Sequence, residues 1–200
     1  MTRSTNSGMV SRILLFAMIC SILIACNSRK NDILDKVKKM QSTAIKIPYE
    51  RMNCWTNDSI YKISPWSESK LKLVHYIDSS TCNSCYLKEA AKNGLLHRLE
   101  SLTNNKLYNV FIANPSNQQK NKLRTEFNKK LTPQTLFVDT AHIFAQMNPN
   151  IPPESMYHTF LLDENNKVIL VGNPMVNKQI VEMIVSIVKE KLGKSSIPPK

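Results

Sequence analysis

Leu71-Lys72-Leu73-Val74-His75-Tyr76-Ile77-Asp78-Ser79-Ser80-Thr81-Cys82-Asn83-Ser84-Cys85 is the stretch on which the fold turns. Its first seven residues are apolar and β-branched in the manner of a buried strand. Ser79, Ser80 and Thr81 supply turn and N-cap chemistry, and the apolar positions from Tyr86 to Leu102 recur at helical spacing. Cys82 and Cys85 therefore fall on one face of a first helical turn, close enough to bridge. A helix N-terminus favours a thiolate on the first of them. The same geometry predicts an exposed, nucleophilic Cys82 and a resolving Cys85 buried one turn further on. This is the chemistry of a dithiol redox site.

Outward from this stretch the elements alternate. Tyr108 to Ala113 reads as a second strand, closed by Asn114-Pro115-Ser116. Asn117 to Lys130 reads as an amphipathic helix, with Leu123, Phe127 and Leu131 on one stripe. Thr135 to Asp139 is a third strand, and His142 to Met147 a short helix. Pro149, Pro152 and Pro153 interrupt the chain before a strand from His158 to Asp163. Asn165-Asn166 turns it back into Lys167 to Val171 as a hairpin. Asn177 to Leu192 closes the chain as a helix with Ile180, Ile184, Ile187 and Val188 facing inward.

The N-terminus points to export. Arg3 and Arg12 precede an uncharged apolar run from Ile13 to Ala25, too short to span a bilayer comfortably and suited to a signal-peptide core. The run ends Leu23-Ile24-Ala25-Cys26, which resembles the lipobox of bacterial lipoproteins. That resemblance implies acylation of Cys26 as the first residue of the mature chain. Residues 1–25 are then signal peptide, 26–46 a lipid-anchored tether, 47–193 the domain with an N-terminal extension, and 194–200 a tail. Residues 27–41 are polar and lysine-rich with weak helical spacing, either a short helix or a disordered spacer. Trp55 and Trp66 are expected to pack the extension, 47–65, against the sheet.

With Cys20 removed and Cys26 lipidated, three cysteines remain: Cys54, Cys82 and Cys85. A disulfide framework is excluded if two of them form the redox pair. Cys54 is read as a half-buried small hydrophobe. The formal net charge is +12, of which Arg3 and Arg12 contribute two, leaving +10. The lysines are scattered rather than interleaved with aromatics, so nucleic acid is not an expected partner. Anionic lipid head groups fit the charge better, and a solvated basic surface with no specific partner fits it most simply.

The order βαβαβ(α)ββα, with the dithiol opening the first core helix, resembles the thioredoxin-like superfamily, above all its membrane-anchored extracytoplasmic thiol-disulfide oxidoreductases. The resemblance covers Leu71 to Leu192. Its best local match is Thr159-Phe160-Leu161-Leu162-Asp163-Glu164-Asn165-Asn166-Lys167-Val168. It implies an α/β fold with a central mixed sheet and flanking helices. It also implies envelope protein thiols or disulfides as partners, a membrane electron donor, and a location on the periplasmic face. The family's cis-proline position holds His158 here, a candidate modulator of the pair. The aromatic position before the first cysteine holds Thr81. The buried acid position holds Tyr76, with His75 and Asp78 close by in sequence.

Two alternatives stand beside redox catalysis. Without the shielding proline, Cys82, Cys85 and His158, with Met156 as a fourth ligand, could hold Cu(I) as in copper-delivering thioredoxin folds. A non-catalytic lipoprotein could also keep the disulfide as a brace. In the redox reading no metal or cofactor is needed. His75, His97 and His142 are read as core or surface residues.

Overall fold

The computed structural model describes residues 28–56, 69–103, 106–131, 133 and 135–193. The expected signal peptide, Cys20, Cys26, Trp66 and the expected tail lie outside the described residues. Two compact units divide the chain between Lys38 and Lys39. Residues 28–41 are helical (α1), and within the first unit Asp32 pairs with Lys36 at 2.9 Å. No described helix is long and apolar enough to cross a membrane.

The second unit is built around Leu71–Ile77 (β2), buried at all seven positions. It pairs in parallel with Leu107–Ala113 (β3) and antiparallel with Thr159–Leu162 (β5). Val168–Val171 (β6) completes the hairpin beyond β5, and Thr135–Val138 (β4) lies parallel to β3. Asn53–Thr56 (β1) runs antiparallel to β4, giving the order β1-β4-β3-β2-β5-β6. The mixed sheet with flanking helices is the expected α/β fold.

Side chains alternate across the sheet, so each face has its own cover. Leu71, Leu73, Ile77, Leu107, Phe111 and Leu161 share one core with four helices. These are Asn83–Lys92 (α2), Gly94–Leu102 (α3), Asn117–Asn128 (α4) and Lys178–Leu192 (α6). On the other face, Tyr76 packs on Phe144 of Ile143–Met147 (α5), and Phe137 on Tyr49, each at 5.0 Å between rings. Met40 and Ile45 are fully buried. Asn148 holds this segment by accepting from Lys46 N and donating to Lys46 O, both at 2.8 Å, and Ile45 N donates to Asn166 O. Residues 39–46, read from sequence as tether, are thus packed into the domain unit.

The helix expected from Tyr86 to Leu102 is broken in two. Asn93 turns its side-chain oxygen to Leu95 N, which ends α2 and caps α3. The α4 stripe is one residue shorter than its spacing suggested. The helix ends at Asn128, Lys130 takes a left-handed φ of 56°, and Leu131 is exposed. A complete capping box at Ser116 and Gln119 fixes the start of α4. The extension contributes a strand, β1, where Trp55 meets Phe127 edge-on at 5.5 Å and lies under Arg124. Cys54 on that strand is exposed rather than half-buried, because β1 is paired on one side only among the described strands.

Candidate functional site

The site begins where β2 ends. Asp78 Oδ1 accepts from Ser80 N, Ser80 Oγ, Thr81 N and Thr81 Oγ1 at 2.7–3.2 Å. One carboxylate oxygen thereby organises the whole turn. Burial raises the Asp78 pKa, but the hydrogen bonds from Ser80 and Thr81 and the His158 ring outweigh it and hold the carboxyl below its usual range.

Cys82 is the N-cap of α2 and Cys85 lies in its first turn. Their sulfurs are joined in a disulfide with Cα atoms 5.3 Å apart. Cys82 Sγ accepts from Cys85 N at 3.4 Å, and the Ser84 hydroxyl lies 3.8 Å away.

The phase of α2 departs from expectation. Asn83, Ser84, Leu87 and Ala90 are its buried residues, and at about 100° per residue they span an arc of roughly 120°. Cys85 lies opposite that arc, so both cysteines are exposed and Cys85 is not the buried partner. Asn83 causes this. Its amide nitrogen donates to Asp78 O at 2.9 Å, Thr81 O at 3.0 Å and Gln119 Oε1 at 3.3 Å. Gln119 Nε2 donates in turn to Thr81 O, and Lys88 pairs with Glu126 at 2.7 Å. The N-terminus of α2 is thus fastened to α4 by its buried dipeptide.

His158 stands just before β5, where the resemblance places a proline, and no described peptide bond is cis. Its ring is buried and donates from Nε2 to Pro152 O at 3.0 Å. It packs on Tyr76 at 5.0 Å, and Nδ1 lies 3.9 Å from Asp78 Oδ2 without a hydrogen bond. Among the described residues no hydrogen bond joins this ring to Cys82, and Nε2 is engaged by Pro152 O. Met156 is exposed, and no described group of three His, Cys, Asp or Glu side chains converges as metal ligands do.

Behind α2 lies a polar network that sequence reading missed. Asn109 Nδ2 donates to Leu96 O, which turns its oxygen toward His75 Nε2 at 3.4 Å. His75 Nδ1 then accepts from the Tyr86 hydroxyl at 2.8 Å. The Tyr86 oxygen receives Thr159 Oγ1 at 3.1 Å and Asn173 Nδ2 at 3.4 Å. Burial lowers the His75 pKa to about 4, against a smaller opposing effect of Asn109, and raises that of Tyr86 to about 12. The signal in the sequence was a His and an Asn inside otherwise apolar strands, which need buried partners.

No family model and no curated protein matches the chain. Among solved structures it is similar to a thioredoxin-like protein from Bacteroides caccae, with 14% identity and TM-score 0.44 over 80% of this chain. The chain spans 54% of that protein's length. It is also similar to a thioredoxin-like protein from Porphyromonas gingivalis, with 11% identity, TM-score 0.45, and coverage of 76% of this chain and 94% of the other. A third is peroxiredoxin Q of Xanthomonas campestris, with 12% identity, TM-score 0.44, and coverage of 74% and 98%. With β2 between a parallel and an antiparallel neighbour, and a dithiol where it hands over to α2, this chain has a mixed-sheet α/β fold with flanking helices.

Proposed function

We propose that this protein is a thiol-disulfide oxidoreductase of the bacterial cell envelope, lipid-anchored through Cys26 and acting on protein thiols. The observation that carries this reading is the solvent-exposed Cys82–Cys85 disulfide at the N-terminus of α2. A client thiolate attacks one sulfur, the S–S bond breaks, and its electron pair leaves on the other sulfur as a thiolate. A second client thiol displaces the mixed disulfide. The client leaves oxidised, the protein dithiol is reduced, and the two protons pass to solvent or to the new thiols. The reverse sequence reduces a client disulfide.

Exchange with a peptide dithiol, followed by mass spectrometry, tests the reading. Wild-type protein should equilibrate with the peptide, and Cys82→Ser/Cys85→Ser should be inert. A disulfide that persists unchanged in excess peptide dithiol sinks it. The anchor is tested separately: the mature N-terminus should be acylated Cys26, and an unmodified start elsewhere removes the lipoprotein part alone.

A further inference from the structure

We infer that α4 is a membrane-docking face, held to anionic phospholipid by its exposed cations; this rests on the envelope reading above. The lysines scatter along the sequence, but the fold gathers part of them. Lys120, Lys122, Arg124, Lys129 and Lys130, on α4 and just beyond its end, are all exposed. The one acid of that stretch, Glu126, is turned inward, 7% exposed and paired with Lys88 at 2.7 Å. Among the described residues no carboxylate lies within ion-pair distance of these five cations. Other helices of the domain mix their signs: Glu89 is exposed on α2, and Glu182 and Glu190 on α6.

Folding gives no reason for this charge. Leu123 and Phe127 fill the inward side of α4, and Ser116 with Gln119 caps its start. The helix dipole favours Lys129 and Lys130 at the C-terminal end, and does not account for Lys120, Lys122 and Arg124. Lys120 and Arg124 stand four residues apart, a spacing at which like charges destabilise a helix. An anionic surface offsets that repulsion.

The arrangement fits a sheet of head groups better than an acidic polypeptide. At about 100° per residue, Lys120 and Arg124 fall on the Trp55 side of α4, and Lys122 and Lys129 on the Glu126 side. The exposed Asn121 and Thr125 lie between the two rows. A flat surface meets both rows together, whereas an extended chain meets one. Two apolar groups border the charges. Leu131 is 43% exposed directly after Lys130, and the Arg124 guanidinium lies 4.6 Å from the centre of the half-buried Trp55 ring. Lipid head groups accommodate this mixture, with cations at the phosphates and indole or aliphatic groups at the boundary. Gln119 Nε2 donates to Thr81 O, next to Cys82, so a membrane seated on α4 fixes how the dithiol turn is presented.

The test places full-length protein with vesicles of phosphatidylcholine alone, and of phosphatidylcholine with phosphatidylglycerol. A short pulse of a water-soluble amine-reactive ester follows, and mass spectrometry reads the labelling of each lysine. Lys120, Lys122, Lys129 and Lys130 should label at least about fivefold more slowly on the anionic vesicles, with Lys178, Lys189 and Lys191 of α6 unchanged. High salt should erase the protection. Lys120→Gln/Lys122→Gln/Lys129→Gln should lose most of the protection at Lys130 and keep peptide-dithiol exchange. Equal labelling on the two vesicles, or equal protection of α6, overturns the inference and leaves the exchange and anchor readings standing. Protection by soluble polyglutamate that the vesicles fail to reproduce also overturns it, and assigns the face to an acidic polypeptide. Protection on anionic vesicles without acylation of Cys26 upholds the α4 face and removes only the anchor.

Discussion

Two histidines lie on opposite faces of the sheet at β2 in opposite circumstances. His75 is fully buried, and both ring nitrogens are partnered within a network reaching from Leu96 to Asn173. His158 is also buried, yet only Nε2 is partnered, and Nδ1 faces the Asp78 carboxylate across 3.9 Å. A closed network stores its stability in the neutral ring and has no vacancy for a proton. A ring with one bare nitrogen is not closed in that way. Equal burial thus gives one structural histidine and one that stays chemically open.

The largest expected effect is on the closed side. His75 has a folded pKa of about 4 against an ordinary 6.5, so the unfolded chain binds more protons between those values. Stability is full above about pH 6.5 and falls as pH drops toward 4, by at most about 3 kcal/mol. Urea titrations at pH 7 and pH 4.5 measure it, and His75→Leu should flatten the slope. An unchanged slope would show that the ring is not held neutral by its surroundings. The Asp78 contribution has the same sign but a lower window, because its folded pKa is depressed below 3.8.

Tyr86→Phe comes next. It leaves His75 Nδ1, Thr159 Oγ1 and Asn173 Nδ2 short of a partner and should cost about 2 kcal/mol in denaturant unfolding. A neutral result would mean the network is not closed. Asp78→Ala removes the acceptor of four hydrogen bonds in a partly exposed turn and should cost about 1 kcal/mol. Amide exchange at Ser80 and Thr81 should quicken with it. His158→Phe should cost least, under about 1 kcal/mol, since only the bond to Pro152 O is lost. A penalty as large as that of Tyr86→Phe would show that Nδ1 is satisfied, and the contrast would collapse.

Legibility in the sequence followed the range of the interactions. The strand from Leu71 to Ile77, the terminal hairpin and the inward face of α6 were readable, because apolar periodicity is a local property. The break at Asn93 was also local, a side-chain cap competing with helix continuation, and Asn93-Gly94 was its visible sign. The phase of α2 was not. It depends on Asn83 meeting Gln119, 36 positions away, and no pattern within the helix announces that pairing. Leu87 and Ala90 did mark the inward side, and Cys85 does not share it. The aim of His158 rests likewise on a loop carbonyl, which leaves no trace in residue types. Strand β1 is four residues long, and its place in the sheet is set by β4, eighty positions downstream.

Asn148 has a mechanical consequence. By accepting from Lys46 N and donating to Lys46 O, its carboxamide imitates a neighbouring strand, and the two bonds resist sliding together. A pull along the chain from residue 39 meets the bond from Asn150 Nδ2 to Met40 O first, and then the Ile45–Asn166 bond and this clasp. Both lie off the cover formed by α2, since Phe144, whose carbonyl also receives the Asn148 amide, packs on Tyr76. Tension arriving from the N-terminal side is therefore grounded at that clasp before it reaches the turn that holds the two sulfurs.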